Sequence, residues 1–241
     1  QDVIRAQVEQ TTMRSELVAL EAEARQTNAR LNALLARPAS AALAEPALAP
    51  PWPAPAQLEF AALEERVRSR NPLLFAEEAR VRSAEKGREL AYKNRIPDFM
   101  VGIQPTQYQT SFKEWTLMLE VNIPLQQETR RAQERESEAM LAAARSRREA
   151  VANQVLSDLS ENLAGIDAAR RIENLATSSL LPQAELSFNS ALASYEATKV
   201  DFATLLEAQR AIRQARQNQI KARFEGQVRQ AEIEKLLGEE L

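Results

Sequence analysis

The side chains that most often carry covalent or proton-transfer chemistry are missing from this chain. Histidine and cysteine are both absent. That removes the Ser-His-Asp relay, the thiolate nucleophile, the disulfide and the usual His/Cys zinc site together. No carboxylate pair, glycine-rich loop or activated nucleophile takes their place. The residues therefore point to a protein that is not an enzyme, with no metal site and no cofactor. What remains is the chemistry of surfaces and charge. Tyr195, Thr198, Lys199 and Asp201 lie where one helical run gives way to another, and Thr204 and Glu207 follow one or two turns later. A third group, Trp115, Leu117, Leu119 and Val121, recurs at every second position.

Composition says what must position these groups. Only 5 glycines and 5% aromatics stand against 27% charged residues in 241 positions, a balance typical of long helices and coiled coils. A globular core of ordinary size also calls for more of the large aromatic side chains. The net charge of −3 comes from interleaved signs. The tract from Arg130 to Glu136 reads as a solvated helix face laced with i,i+4 pairs. Nucleic-acid binders segregate their cations into a patch, so that class is set aside. No run of 18 apolar residues is present, which leaves no transmembrane helix. The opening residues Gln1 to Arg5 read as mid-helix without a signal peptide, as expected of a fragment.

Along the chain, Val8, Met13, Leu17, Leu20, Ala24, Leu31 and Leu34 recur at helical spacing, which predicts a helix over 1–37 that Pro38 ends. Residues 38–57 hold six prolines and eight alanines. Such a connector is either an extended polyproline-like segment or a disordered linker, with Trp52 its anchor if ordered. Two helices are predicted over 58–95, the second opened by Asn71-Pro72. Over 96–125 the period changes to two. Phe99, Val101 and Ile103 alternate with polar or small residues, and so do Trp115, Leu117, Leu119, Val121 and Ile123, with a loop over 105–113 and a stop at Pro124. The helical pattern then resumes over 126–241, broken near Pro182, reversing near 195–201 and capped at Gly238. In its last helix Leu205, Ala208, Ile212, Ala215 and Ala222 form a seam partly of alanine. The fold class is thus mainly α: a long coiled-coil hairpin carrying one β-hairpin.

Two strands alone are marginally stable in water. Nine alternating residues do match a tilted membrane-spanning strand, with Trp115 suited to the interface and Glu120 and Asn122 to a wet lumen. In lipid only a closed barrel satisfies strand edges, so several copies would have to contribute hairpins. A soluble hairpin packed on the helices is the other reading of the same residues.

The order helix, strand, strand, very long helix, tight turn, helix resembles one structural repeat of the TolC-like outer-membrane efflux proteins. Leu31-Asn32-Ala33-Leu34-Leu35 is similar to the end of their first repeat. Asn71-Pro72-Leu73-Leu74 is similar to the helix opening of the second, and Val121-Asn122-Ile123-Pro124-Leu125 to its strand exit. Leu181-Pro182-Gln183-Ala184, Ala193 to Phe202, and Leu205-Leu206-Glu207-Ala208-Gln209 resemble the heavy-metal efflux branch. The resemblance implies a homotrimer whose strands close a barrel in the outer membrane above a periplasmic helical tunnel. It implies passage of substrates, heavy-metal cations among them, from a resistance-nodulation-division pump and a periplasmic adaptor to the exterior. It also implies that Tyr195, Thr198, Lys199 and Asp201 form the periplasmic tip that touches adaptor or pump. Thr204 and Glu207 would then narrow the tunnel, where three carboxylates select cations. Trp115, Leu117, Leu119 and Val121 would face outer-membrane lipid. One departure is clear: the family usually places glycine at the turn where this chain has Thr198, and glycine reaches positive φ without steric cost. On the residues alone, a solvated turn and a solvated Glu207 remain open. So does a structural coiled coil or adaptor-type scaffold without channel activity, although it leaves the hairpin idle.

Overall fold

The computed structural model describes residues 1–44, 51–108, 111–123 and 125–241. The helices are α1 (Asp2–Leu34), α2 (Phe60–Arg70), α3 (Pro72–Lys93), α4 (Gln127–Leu175), α5 (Leu181–Glu196) and α6 (Phe202–Leu237). The strands are β1 (Asp98–Tyr108) and β2 (Ser111–Asn122), joined in one antiparallel sheet. Two compact units divide the chain: residues 1–54 with 166–227, and residues 55–165 with 228–241. Among the described residues no helix is long and apolar enough to cross a membrane.

In the second unit the core is built from leucine-sized side chains. Leu63 and Val67 of α2, Leu74 of α3, Val155 and Leu159 of α4, and Ile233, Leu236 and Leu237 of α6 are all buried. Asn71 links them. Its carboxamide oxygen accepts the backbone N–H groups of Leu73 at 2.9 Å and Leu74 at 3.1 Å, while Pro72 occupies a first-turn position that needs no donor. Its Nδ2 donates to the Leu236 carbonyl at 2.7 Å, one of the carbonyls a helix end leaves unpaired. Gly238 follows at φ 71°, the left-handed cap its position predicts.

The first unit is packed differently. Its buried apolar positions include Ile166, Ala169, Ala176, Ala191, Ala208, Ile212, Ala215 and Ala222, so alanine dominates as the spacing on α6 indicates. The helix break expected at Pro182 lies just ahead of it. A π-helical segment, Ala176–Leu180, separates α4 from α5. Proline lacks the N–H for the preceding turn and its ring crowds that turn's carbonyl, so the ladder widens. Thr177 and Ser178 assist by donating their hydroxyls to the Glu173 and Asn174 carbonyls at 2.8 and 2.7 Å.

One helix face lies open, and one expectation needs correction. The stripe read on α1 is not covered within this chain: Val8, Leu17, Leu20, Leu31 and Leu34 are 45–85% exposed, and the buried residues there are Glu9 and Asn32. Helical spacing shows that a face exists, but only a neighbouring element can bury it. The hairpin loop is also shorter than expected, because the ladder continues to Tyr108 paired with Ser111. A bulge after Thr106 absorbs one residue of β2 and lets pairing continue. Positions 109–110, Pro46, Pro50 and Pro124 lie outside the described residues.

Replacing Asn71 with Ala removes the cap of α3 and strands two backbone donors and the Leu236 carbonyl. The variant is expected to lose about 2 kcal/mol in urea unfolding; a loss below about 0.5 kcal/mol would show that water replaces the side chain.

Candidate functional sites at the helix reversal and on the hairpin

The reversal between α5 and α6 is built by backbone hydrogen bonds. The N–H of Thr198 donates to the Tyr195 carbonyl and that of Lys199 to the Ser194 carbonyl, both at 2.9 Å. Thr198 sits at φ 57°. This is a Schellman closure, in which the residue after the C-cap turns left-handed. The turn therefore has the geometry that glycine favours, reached here by a β-branched residue for which positive φ is an outlier. Ala36 closes α1 in the same way at φ 53°, with Ala36 and Arg37 donating to Ala33 and Asn32. Neither Ala36 nor its strain could be anticipated, since nothing about alanine marks a left-handed position.

Asp201 opens the next helix. Its Oδ1 accepts the Thr204 backbone N–H at 3.0 Å and the Thr204 hydroxyl at 2.8 Å. Those two bonds, the hydroxyl first, hold the Asp201 carboxyl below its ordinary range, with Arg5 of α1 adding a weaker attraction. Tyr195 packs edge-on against Phe202, ring centroids 5.9 Å apart, which ties the two sides of the turn together. Tyr195 is thus half-buried, whereas Thr198, Lys199 and Asp201 are exposed. Of the six positions read from the sequence here, the structure brings Tyr195, Thr198, Asp201 and Thr204 into the turn's own bonding. Lys199 and Glu207 project to solvent.

A charged cluster that the sequence did not reveal lies one turn beyond. Glu9 of α1 is buried and ion-paired with Arg210 and Arg213 of α6, at 3.1 Å from Arg210 Nε and 3.1 Å from Arg213 Nη1. The Arg210 hydrogen bond, helped by the charges of both arginines, holds the Glu9 carboxyl below its ordinary range despite burial. Arg210 is held charged chiefly by Glu9, with a smaller contribution from Glu207. Glu207 thus has a cation one turn away. No local signal could have found this pair, because some two hundred residues separate its members.

On the hairpin, Phe99, Val101, Ile103 and Pro105 pair directly with Val121, Leu119, Leu117 and Trp115. Directly paired residues share a face, so this face is apolar throughout. Its large side chains are 52–73% exposed. The opposite face pairs Met100 with Glu120, Gly102 with Met118 and Gln104 with Thr116. Among the described residues neither face is covered by the helices, so the packed soluble hairpin finds no support there.

A family model described as outer membrane efflux protein matches residues 63–239. The chain belongs to that family. Among solved structures it is similar to the outer membrane protein VceC of Vibrio cholerae, with TM-score 0.81, 15% identity, and coverage of 99% of this chain and 58% of that one. The outer-membrane channel OprN gives TM-score 0.76 at 19% identity, covering 98% and 55%. The open-state MtrE outer membrane channel of Neisseria gonorrhoeae gives 0.75 at 15% identity, covering 95% and 53%. Identities this low speak for the fold, and the chain spans about half the length of the structures it matches. No curated protein matches its sequence.

Thr198→Gly should relieve the left-handed strain and stabilise the protein by about 1 kcal/mol, even after glycine's larger unfolded-state entropy is counted. Urea titration of both proteins measures it, and an unchanged or lower midpoint would contradict the strain assignment.

Proposed function

We propose that this chain is part of an outer-membrane channel that passes substrates from the periplasm to the exterior in a tripartite efflux system. The observation that carries the reading is the hairpin: seven large apolar side chains and Pro105 on one face, a more polar face opposite, and, among the described residues, no helix covering either. A two-stranded sheet in water is marginal, and an exposed apolar face of this size costs several kcal/mol at about 25 cal/mol per Å². Lipid removes that cost, provided other hairpins close the edges into a barrel. In this arrangement Trp115, Leu117, Leu119 and Val121 face lipid, and the assembly is a homotrimer. The uncovered stripe on α1 supports a larger assembly as well, because it offers further apolar surface for neighbours to bury. A scaffold without channel activity would leave both surfaces wet.

The helical part then stands in the periplasm with the reversal at its tip. Lys199 and Thr198, exposed on a turn tied down by its own hydrogen bonds, present a fixed surface to an adaptor and an inner-membrane pump of the resistance-nodulation-division type, with Tyr195 and Asp201 shaping it. Glu207 and Thr204 line the narrowing behind the tip, where carboxylates repeated by symmetry favour cations such as heavy metals. Residues 1–37 end the first repeat, 38–57 connect, and 58–241 form the second. The reading assigns no catalytic step.

Single cysteines at 117, 119 and 121 in the complete protein are expected to resist a membrane-impermeant thiol reagent, while cysteines at 116, 118 and 120 react. Equal reaction of both sets would sink the barrel assignment. Two substitutions separate tip from tunnel. Lys199→Glu should lower export in cells by several-fold at unchanged bilayer conductance. Glu207→Gln should instead lower cation-over-anion permeability in bilayers. If neither quantity moves, the turn and the carboxylate are merely solvated.

A further inference from the structure

Trp52 and Pro53 of the Pro-rich connector meet the helices at a tightly built point within the first unit. Trp52 lies against α4 and α6 together. Its indole N–H donates to Glu173, and the guanidinium carbons of Arg223 and Arg170 lie 4.7 and 5.5 Å from its ring centroid. Arg170 also donates to the Pro53 carbonyl at 2.6 Å, which fixes the connector backbone beside the ring. Arg223 pairs with Glu173 at 3.5 Å across the two helices. The seat for the ring is Gly226. A Cβ there would fall 2.0 Å from Cη2 and 2.2 Å from Cζ3 of Trp52, and 3.3 Å from the Ala169 Cβ. Only glycine therefore permits both the seated indole and the close helix approach. The hollow under Trp52 is lined by Arg170, Arg171, Glu173, Asn174 and Thr177. Thr177 belongs to the π-helical segment Ala176–Leu180 that separates α4 from α5.

A clamp on two helices thus sits against the first turn of the one stretch where the long helix loses its α-helical ladder. Such widened stretches bend more readily than the α-helix around them and recur at functional sites. Beyond this point the pair is joined mainly through alanines, whose small contact area resists bending weakly. We propose that Trp52 is a positioning residue for the duct. Seated on Gly226, it locks α4 to α6 at the hinge and so sets how far the arm carrying the reversal can swing. Its ring supplies apolar contact to both helices, and its N–H and two flanking arginines fix its orientation. Trp52 and Pro53 therefore act as a strap that restrains the movement of the tip. This inference rests on the channel reading proposed above.

The test uses the complete protein in planar bilayers, with a nitroxide on a cysteine at position 199 to report the distance between tips of neighbouring copies. Gly226→Ala fills the indole's seat, and Trp52→Phe keeps an aromatic ring while removing the donor to Glu173. Both are expected to assemble like the parent. Gly226→Ala is expected to raise open-channel events at least threefold and to broaden the tip distances toward longer values. Trp52→Phe should show a smaller change of the same sign. If the parent forms no channel, the reading of function fails first, and the clamp with it. If the parent conducts and both variants match it in openings and tip distances, the clamp inference is overturned. Should Gly226→Ala fail to assemble, Trp52→Phe alone decides by the same two readouts.

Discussion

Everything in the helical part depends on how closely two helices can approach through small side chains. In the first unit the seam is built around alanines at 169, 176, 191, 208, 215 and 222 and the glycine at 226. Small side chains bring backbones near, but each buries little area and contributes correspondingly little stability. An alanine seam therefore joins helices without strongly specifying their relative position. Register has to come from a few directional contacts placed along it. Glu9 between Arg210 and Arg213, and Trp52 on Gly226 beside Glu173, are two such contacts. The second unit, filled by leucines and isoleucine, is held by volume and by the double cap of Asn71.

The same economy shapes the reversal. Schellman closure at Thr198 and the aspartate cap at 201 satisfy the loose backbone groups on both sides within a few residues. The turn's backbone groups are thus satisfied by its own neighbours in sequence. Its exposed side chains are then not needed for folding, as the docking tip proposed above requires. The strain at Thr198 is a modest local cost, and Ala36 shows that this chain tolerates left-handed closure without glycine elsewhere too.

The hairpin obeys a different constraint. Its edges and its apolar face cannot both be satisfied by this chain in water. Among the described residues the helices do not cover it, and the channel proposed above would supply lipid and other strands as its partners. The exposed stripe on α1 poses the same demand in the helical part. Two unrelated surfaces with the same deficit argue for assembly more strongly than either does alone.

What the sequence determined by itself was everything periodic or punctuated. The alternation from Trp115 to Ile123, the alanine steps on α6, the break before Pro182, the cap at Asn71-Pro72 and the stop at Gly238 are local rules. Each is written within a few residues, so each could be read without coordinates. Tyr195 to Glu207 could likewise be placed at a reversal. What only tertiary structure decided were pairings between residues far apart in the chain: Glu9 with Arg210, Trp52 with Gly226, and the capping task that occupies the Thr204 hydroxyl. It also decided that the α1 stripe is left uncovered and that Thr198 turns left-handed despite its branched side chain. Spacing along a chain records which face an element has, but contact energy depends on what another element brings to that face, and no local pattern carries that information.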